Sequence, residues 1–194
     1  MLSIPAISLL GLLGCPKDPA AAGGTSADGG ATIPSGTAGV LTERSTADGL
    51  TEVSVDLDGD TKAEIVNYYR MSEGNKLLLR KDVDLNRDGR MDVRSTFDEA
   101  GLRVEEEMDG DFDGRADWVD HYISGKRSMS EVDTDFNGTF DLFKYYENGR
   151  VRRKERDSDS NGKVDFWEYL DEAGAVTKTG RDKDGDGVMD ERSQ

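Results

Sequence analysis

The sequence predicts an all-β fold, a repetitive antiparallel meander of β-hairpins in which each hairpin is joined to the next by an aspartate-rich loop. Three observations carry this reading. The pattern D-x-[DN]-x-[DN]-G-x-x-D returns five times at intervals of 24 or 25 residues, and a degenerate copy precedes the series by 28. Each copy runs into a short stretch of aromatic and β-branched residues, such as Trp118-Val119-Asp120-His121-Tyr122-Ile123 or Leu142-Phe143-Lys144-Tyr145-Tyr146, the composition that suits a pleated surface. A glycine-bearing turn follows at a recurring offset, as at Gly101, Gly125, Gly149 and Gly174, and a polar return run such as Arg150 to Arg156 leads into the next loop. Glycine so placed is the mark of a tight hairpin.

In chain order, the first element is a leader. Residues 1–14 (MLSIPAISLLGLLG) are uncharged and mostly apolar and end at Leu12-Leu13-Gly14-Cys15. Fourteen such residues are short of the roughly 20 that span a bilayer. The segment resembles the lipobox of bacterial lipoprotein precursors, although it lacks the Lys or Arg those leaders carry near the start. The resemblance implies cleavage before Cys15, lipidation of its thiol and a membrane partner held through that anchor. Two or three acyl chains, at about 0.8 kcal/mol per buried methylene, make such attachment stable. Pro16 stands where inner-membrane lipoproteins of that family typically have Asp, which implies the outer membrane.

Residues 15–49 are rich in Ala, Gly, Ser, Thr and Pro and read as a flexible tether, because they bury too little surface to offset the entropy of ordering. The remaining residues, 50–194, make one domain of ordinary size. With 34% charged against 35% hydrophobic residues, the whole chain is lean in core-forming material. The net charge of −16 excludes a nucleic-acid partner, since affinity for phosphate needs clustered cations. It favours cations instead. The single cysteine excludes an internal disulfide framework.

The acids are gathered rather than diffuse. The loops are Asp84-Asn86-Asp88-Asp92, Asp109-Asp111-Asp113-Asp117, Asp133-Asp135-Asn137-Asp141, Asp157-Asp159-Asn161-Asp165 and Asp182-Asp184-Asp186-Asp190, with Gly89, Gly114, Gly138, Gly162 and Gly187 at the sixth place. The degenerate first copy is Asp56-Asp58-Asp60-Glu64, with Thr61 in the glycine position. Oxygen ligands at alternate positions converge on one ion if the loop curls, and glycine permits the sharp turn. Repulsion among three or four carboxylates in one turn is unfavourable without a cation. All the donors are hard oxygens, so Ca²⁺ is the expected metal; zinc would want His or Cys, and magnesium demands a tighter octahedron.

These loops resemble EF-hand loops and, more broadly, the aspartate loops of dockerins and thrombospondin type 3 repeats. The resemblance covers the loops alone. At the twelfth position, where an EF-hand has a bidentate Glu, this chain has Asn67, Ser95, Asp120, Lys144, Glu168 and Ser193. A helix after each loop, best supported at Asp165 to Leu170, is the competing reading of the flanks; it would make the protein a calcium sensor or buffer. A second alternative is an adhesive or glycan-binding module using Trp118, Phe143, Phe166 and Trp167, although aromatics at strand spacing more often pack between hairpins. An envelope protein or a glycan is thus a candidate partner.

His121, the one histidine, occupies the register that holds Tyr68, Thr96, Tyr145 and Tyr169 in the other repeats and is expected to be a framework residue. No nucleophile elbow, phosphate loop or isolated pair of catalytic carboxylates stands apart from the repeats, so catalytic residues are not expected. The sequence therefore points to a calcium-binding cell-envelope lipoprotein with a structural or interaction role.

Overall fold

The computed structural model describes residues 39–193. The leader and Cys15 lie outside the described residues, as does most of the expected linker. Thirteen strands follow: β1 (Val40–Ser45), β2 (Thr51–Asp56), β3 (Ile65–Ser72), β4 (Asn75–Val83), β5 (Val93–Phe97), β6 (Arg103–Met108), β7 (Trp118–Ile123), β8 (Lys126–Val132), β9 (Leu142–Glu147), β10 (Arg150–Arg156), β11 (Phe166–Leu170), β12 (Val176–Arg181) and β13 (Glu191–Ser193). They form one sheet whose spatial order is the chain order, each neighbouring pair antiparallel. The expected hairpin meander is what the chain adopts.

The helical alternative is overturned, since no helix occurs among the described residues and Phe166–Leu170, its best candidate, is β11. Strand pairing on both sides, with β10 and β12, satisfies this segment's backbone where a helix would leave its neighbours unpaired. The linker also ends earlier than its composition suggests. Val40–Ser45 pairs residue for residue with β2; the small-residue bias stops near Gly39, and Val40-Leu41-Thr42 are strand formers.

Because strands alternate in direction, their connections sort to opposite ends of the sheet. Every aspartate loop joins an even strand to the next odd one, so all six lie along one end. The hairpin turns lie along the other. Three of these are two-residue turns with both residues at positive φ, Glu73-Gly74, Ser124-Gly125 and Asn148-Gly149, the geometry that matches strand twist. Two longer turns are closed by Asp98 and Asp171, whose carboxylates accept from the amides of Ala100 and Leu102, and of Ala173 and Ala175. A register shift recurs in five hairpins, after Tyr68, Thr96, His121, Val151 and Tyr169. Such bulges raise local twist.

Directly opposed residues share a face, which resolves the sheet into rows. The row beneath the loops is apolar over most of its length: Val55, Ile65, Val83, Val93, Met108, Trp118, Val132 and Leu142 are successive members, and Phe166 follows across Arg156. On the opposite face, Tyr68, Thr96, His121, Tyr145 and Tyr169 fall in one row, separated by Arg80, Glu105, Met129 and Arg153. His121 is in the framework register expected of it, with Glu105 and Glu131 against its two ring nitrogens.

The core is thin. Buried apolar residues are Val53, Val66, Val119, Val132, Leu142, Trp167 and Leu170, whereas thirteen buried residues are polar or charged. Eight of those thirteen are first or ninth acids of the loops: Glu64, Asp84, Asp92, Asp109, Asp117, Asp133, Asp141 and Asp157. Burying a carboxylate is costly unless it is hydrogen-bonded or paired, so the stability of this sheet turns on how the loop end satisfies its acids.

Candidate metal centres

The loop end is built by backbone and carboxylates acting on each other. Each first acid takes the amide of the sixth residue on its carboxylate: Asp56 from Thr61 at 2.9 Å, Asp84 from Gly89 at 2.8 Å, Asp109 from Gly114 at 2.7 Å, Asp133 from Gly138 at 2.6 Å, Asp157 from Gly162 at 2.7 Å and Asp182 from Gly187 at 2.6 Å. The fifth residue accepts from the seventh amide in all six loops, including Asn137 from Thr139 at 2.8 Å and Asn161 from Lys163 at 2.9 Å. The ninth acid reaches back to the second amide in all six, as Asp92 does to Leu85 at 2.7 Å and Asp190 to Lys183 at 2.8 Å. The side chains are thereby aimed into the loop rather than out to solvent.

Two positions, not one, are left-handed. The sixth residue has positive φ throughout, including Thr61 at 78° and Gly138 at 87°. So does the fourth: Gly59, Arg87, Phe112, Phe136, Ser160 and Gly185. For bulky residues such as the two phenylalanines this is uncommon and strained. Only Gly59 and Gly185 carry a sequence signal for it. The hydroxyls of Thr134 and Ser158, second residues of their loops, donate to Asp141 and Asp165 at 2.7 and 2.8 Å, a further role not read from the sequence.

Carboxylate oxygens within 4.8 Å of one another gather at five loops: Asp56, Asp58, Asp60 and Glu64; Asp109, Asp111 and Asp117; Asp133, Asp135 and Asp141; Asp157, Asp159 and Asp165; Asp182, Asp184 and Asp190. These groups could hold a metal ion. Some expected ligands stand apart from them. In the second loop Asp84, Asp88 and Asp92 do not join such a set; Asn86 carries no charge there and donates to Asp88 at 3.3 Å. Asp113 is drawn to the Arg115 guanidinium, and Asp186 accepts from the Val188 amide at 2.7 Å. Asn137 and Asn161 supply neutral amide oxygens.

The protonation balance follows the same geometry. Burial pushes the Asp133 carboxyl up, but the amides of Gly138 and Asn137 together outweigh it and hold the group below the ordinary aspartate range. The Gly187 amide, opposed by burial, does the same for Asp182. Asp111 moves the other way: burial, aided by the charges of Asp113, Asp117 and Asp109, raises it. Arg115 lowers Asp113. A carboxylate that resists ionisation because of burial and, after it, the charges of three neighbours is relieved by a cation.

The absent EF-hand glutamate also has a structural account. After the ninth acid the chain continues straight into a strand, so the twelfth residue lies in the sheet. Asn67, Ser95, Asp120, Lys144, Glu168 and Ser193 all fall in one row. Their partners are there too: Asp120 accepts from Ser130 and from Trp118 Nε1 and pairs with Arg127. The ninth acid is therefore the last ligand a loop can offer.

Three of the four aromatic residues considered for glycan stacking, Trp118, Phe166 and Trp167, are engaged within the sheet. Lys144 lies over the Trp118 ring at 4.2 Å and Arg181 over Phe166 at 5.0 Å, and Trp167 is buried.

No protein-family model matches the chain, and no curated protein matches it. Among solved structures, it is similar to a mutant of S. aureus TarM in complex with fondaparinux, alpha-GlcNAc-glycerol and UDP (11% identity over 67% of this chain and 20% of that one, TM-score 0.32). Accessory secretory protein 1,2 and 3 of Streptococcus pneumoniae matches at 14% identity over 60% and 19%, TM-score 0.29. A further TarM structure matches at 16% over 66% and 19%, TM-score 0.27. The chain spans about a fifth of each, and likeness at this level carries no inference about function.

Proposed function

We propose that this chain is a calcium-stabilised repeat protein of the bacterial cell envelope, non-catalytic, anchored through a lipid on Cys15, whose aspartate loops fill with Ca²⁺ and so fasten one hairpin to the next. The observation that carries the metal reading is the convergence of three or four carboxylates within 4.8 Å in five loops, on a sheet that buries more polar than apolar residues. Hard oxygen donors and amide oxygens in an open, flexible loop suit Ca²⁺ better than Mg²⁺. Ion binding then supplies folding free energy that the thin core does not.

With a ninth-position acid as the last ligand, affinity belongs with extracellular modules, on the order of 10⁻⁴ to 10⁻³ M. Equilibrium dialysis against millimolar calcium tests this. The expected result is about one ion for each of the five gathered loops, displaced little by equimolar Mg²⁺. Fewer than one ion per chain rejects the reading. The lipid anchor is tested separately, by metabolic labelling with a fatty acid in bacteria: label on the wild type and none on Cys15→Ser.

A further inference from the structure

The six loops are chained by their backbones. The first acid of each donates its amide to the carbonyl of the ninth acid of the loop before, as Asp84 to Glu64 at 2.8 Å and Asp157 to Asp141 at 2.9 Å. That ladder treats every junction alike. The side chains do not.

The seventh residue of the first, third and fifth loops is a cation that reaches across the next loop, Arg115 doing so with one guanidinium nitrogen while the other two hold Asp113 of its own loop. Lys62 Nζ donates to the carbonyl of Asp88 at 3.1 Å, Arg115 Nη1 to that of Asn137 at 3.5 Å, and Lys163 Nζ to that of Gly185 at 2.9 Å. The same positions in the fourth and sixth loops are Thr139 and Val188, which have no charge to send. Arg90, in the second loop, is exposed and makes no side-chain hydrogen bond or ion pair among the described residues.

The glycines record the same alternation. A Cβ at Gly89 would meet Lys62 at 3.0 Å, one at Gly138 would meet Arg115 at 2.2 Å, and one at Gly187 would meet Lys163 at 3.4 Å. At Gly114 and Gly162 a Cβ would meet nothing within 4 Å. The sixth place of an even loop is therefore roofed by its neighbour's cation, and that of an odd loop is open. Thr61, the one non-glycine at this place, belongs to an odd loop. Two other contacts respect the pairing, Arg87 with Asp58 at 3.4 Å and the Phe136 ring edge 4.0 Å from a Cβ built on Gly110.

We propose that the six loops work as three coupled pairs, first with second, third with fourth and fifth with sixth, each pair tied by the seventh-position cation of its odd member lying over the sixth residue of its even member. Ion binding orders the odd loop's backbone at the seventh residue, from which the tether departs, so occupancy of one loop steadies its partner and not the loop on its other side. The binding part of this rests on the calcium reading above; the tether itself does not.

The sixth-position glycine amides report on their loops one by one, since each donates to its own first acid. In a ¹⁵N-labelled full-length chain, hydrogen exchange in EGTA is measured first. Lys163→Met is expected to speed exchange at Gly187 at least about fivefold and to leave Gly138 unchanged; Arg90→Met leaves both unchanged. Calcium titration is the second arm. Asp157→Asn, which disables the fifth loop, is expected to weaken the midpoint at Gly187 about fivefold and not that at Gly138, although both loops adjoin the fifth. Adding Lys163→Met to that variant removes the difference. Equal response at Gly138 and Gly187, or none at either, overturns the pairing. If calcium moves no glycine amide, the calcium reading fails and the exchange arm alone decides; it decides as well if Asp157→Asn does not fold, because Lys163 is exposed.

Discussion

The two ends of this sheet solve one problem, reversing the chain, by different means. At the turn end, Ser124-Gly125 and Asn148-Gly149 close hairpins with two residues at positive φ and no buried charge. Those reversals are complete in themselves. At the loop end each reversal takes nine residues, and the second, third and fourth each bury two acids, Asp133 and Asp141 among them, 2% and 7% exposed. Backbone amides satisfy part of that charge and leave oxygens converging on a common point. One end is finished by its own backbone geometry, and the other gathers carboxylates that could hold an ion.

Substitutions at the two ends should therefore differ in size and in calcium dependence. The largest effect is expected from Asp133→Ala, which removes a buried carboxylate and leaves the amides of Gly138 and Asn137 without their acceptor. A loss of about 3 kcal/mol in calcium, read by urea denaturation, should shrink in EGTA, where the wild type has already lost its ion. At the turn end, Gly149→Ala places a methyl group at φ 76° and should cost about 1–2 kcal/mol, by the same amount with or without calcium. A calcium-dependent cost there would erase the contrast.

Acid sharpens it next. The folded Asp133 carboxyl lies below its ordinary value, so the stability it contributes is full above about pH 4 and is lost as pH falls through the lower, folded value. In EGTA, Asp133→Asn should flatten the fall of Tm with acidification; an unaltered slope counts against the role of its amide donors. The smallest effect carries the most distinctive sign. Asp111 is raised by burial and by its acidic neighbours, so Asp111→Asn should stabilise the chain slightly in EGTA and destabilise it in calcium. The same sign in both media would separate Asp111 from the ion.

Much of this was readable before any coordinates. Glycine at a fixed offset, the aromatic and β-branched runs and the returning D-x-[DN]-x-[DN]-G-x-x-D spell out hairpins and loops, because each depends on local chemistry. What escaped depends on context. Left-handed φ at Arg87, Phe112, Phe136 and Ser160 is imposed by the carboxylates around them and leaves no trace in residue type. Strand β1 falls at the end of a stretch whose composition of small residues reads as a tether; its partner, β2, makes it a strand. The second loop matches the pattern yet does not gather three carboxylates, since Asn86 stands where most copies have an acid. The twelfth-position residues looked like a ligand set with its glutamate missing, when they are a row of the sheet.

The account stands or falls on whether the loop end needs its ion. Thermal unfolding of the full-length chain, followed by circular dichroism near 218 nm in EGTA and then in millimolar CaCl₂, asks this directly. A Tm higher by roughly 10 °C or more in calcium is expected, since several sites each contribute linkage free energy and about 1 kcal/mol moves a domain of this size by a few degrees. Coincident melting curves in the two buffers would mean that the carboxylates are content with their amides alone.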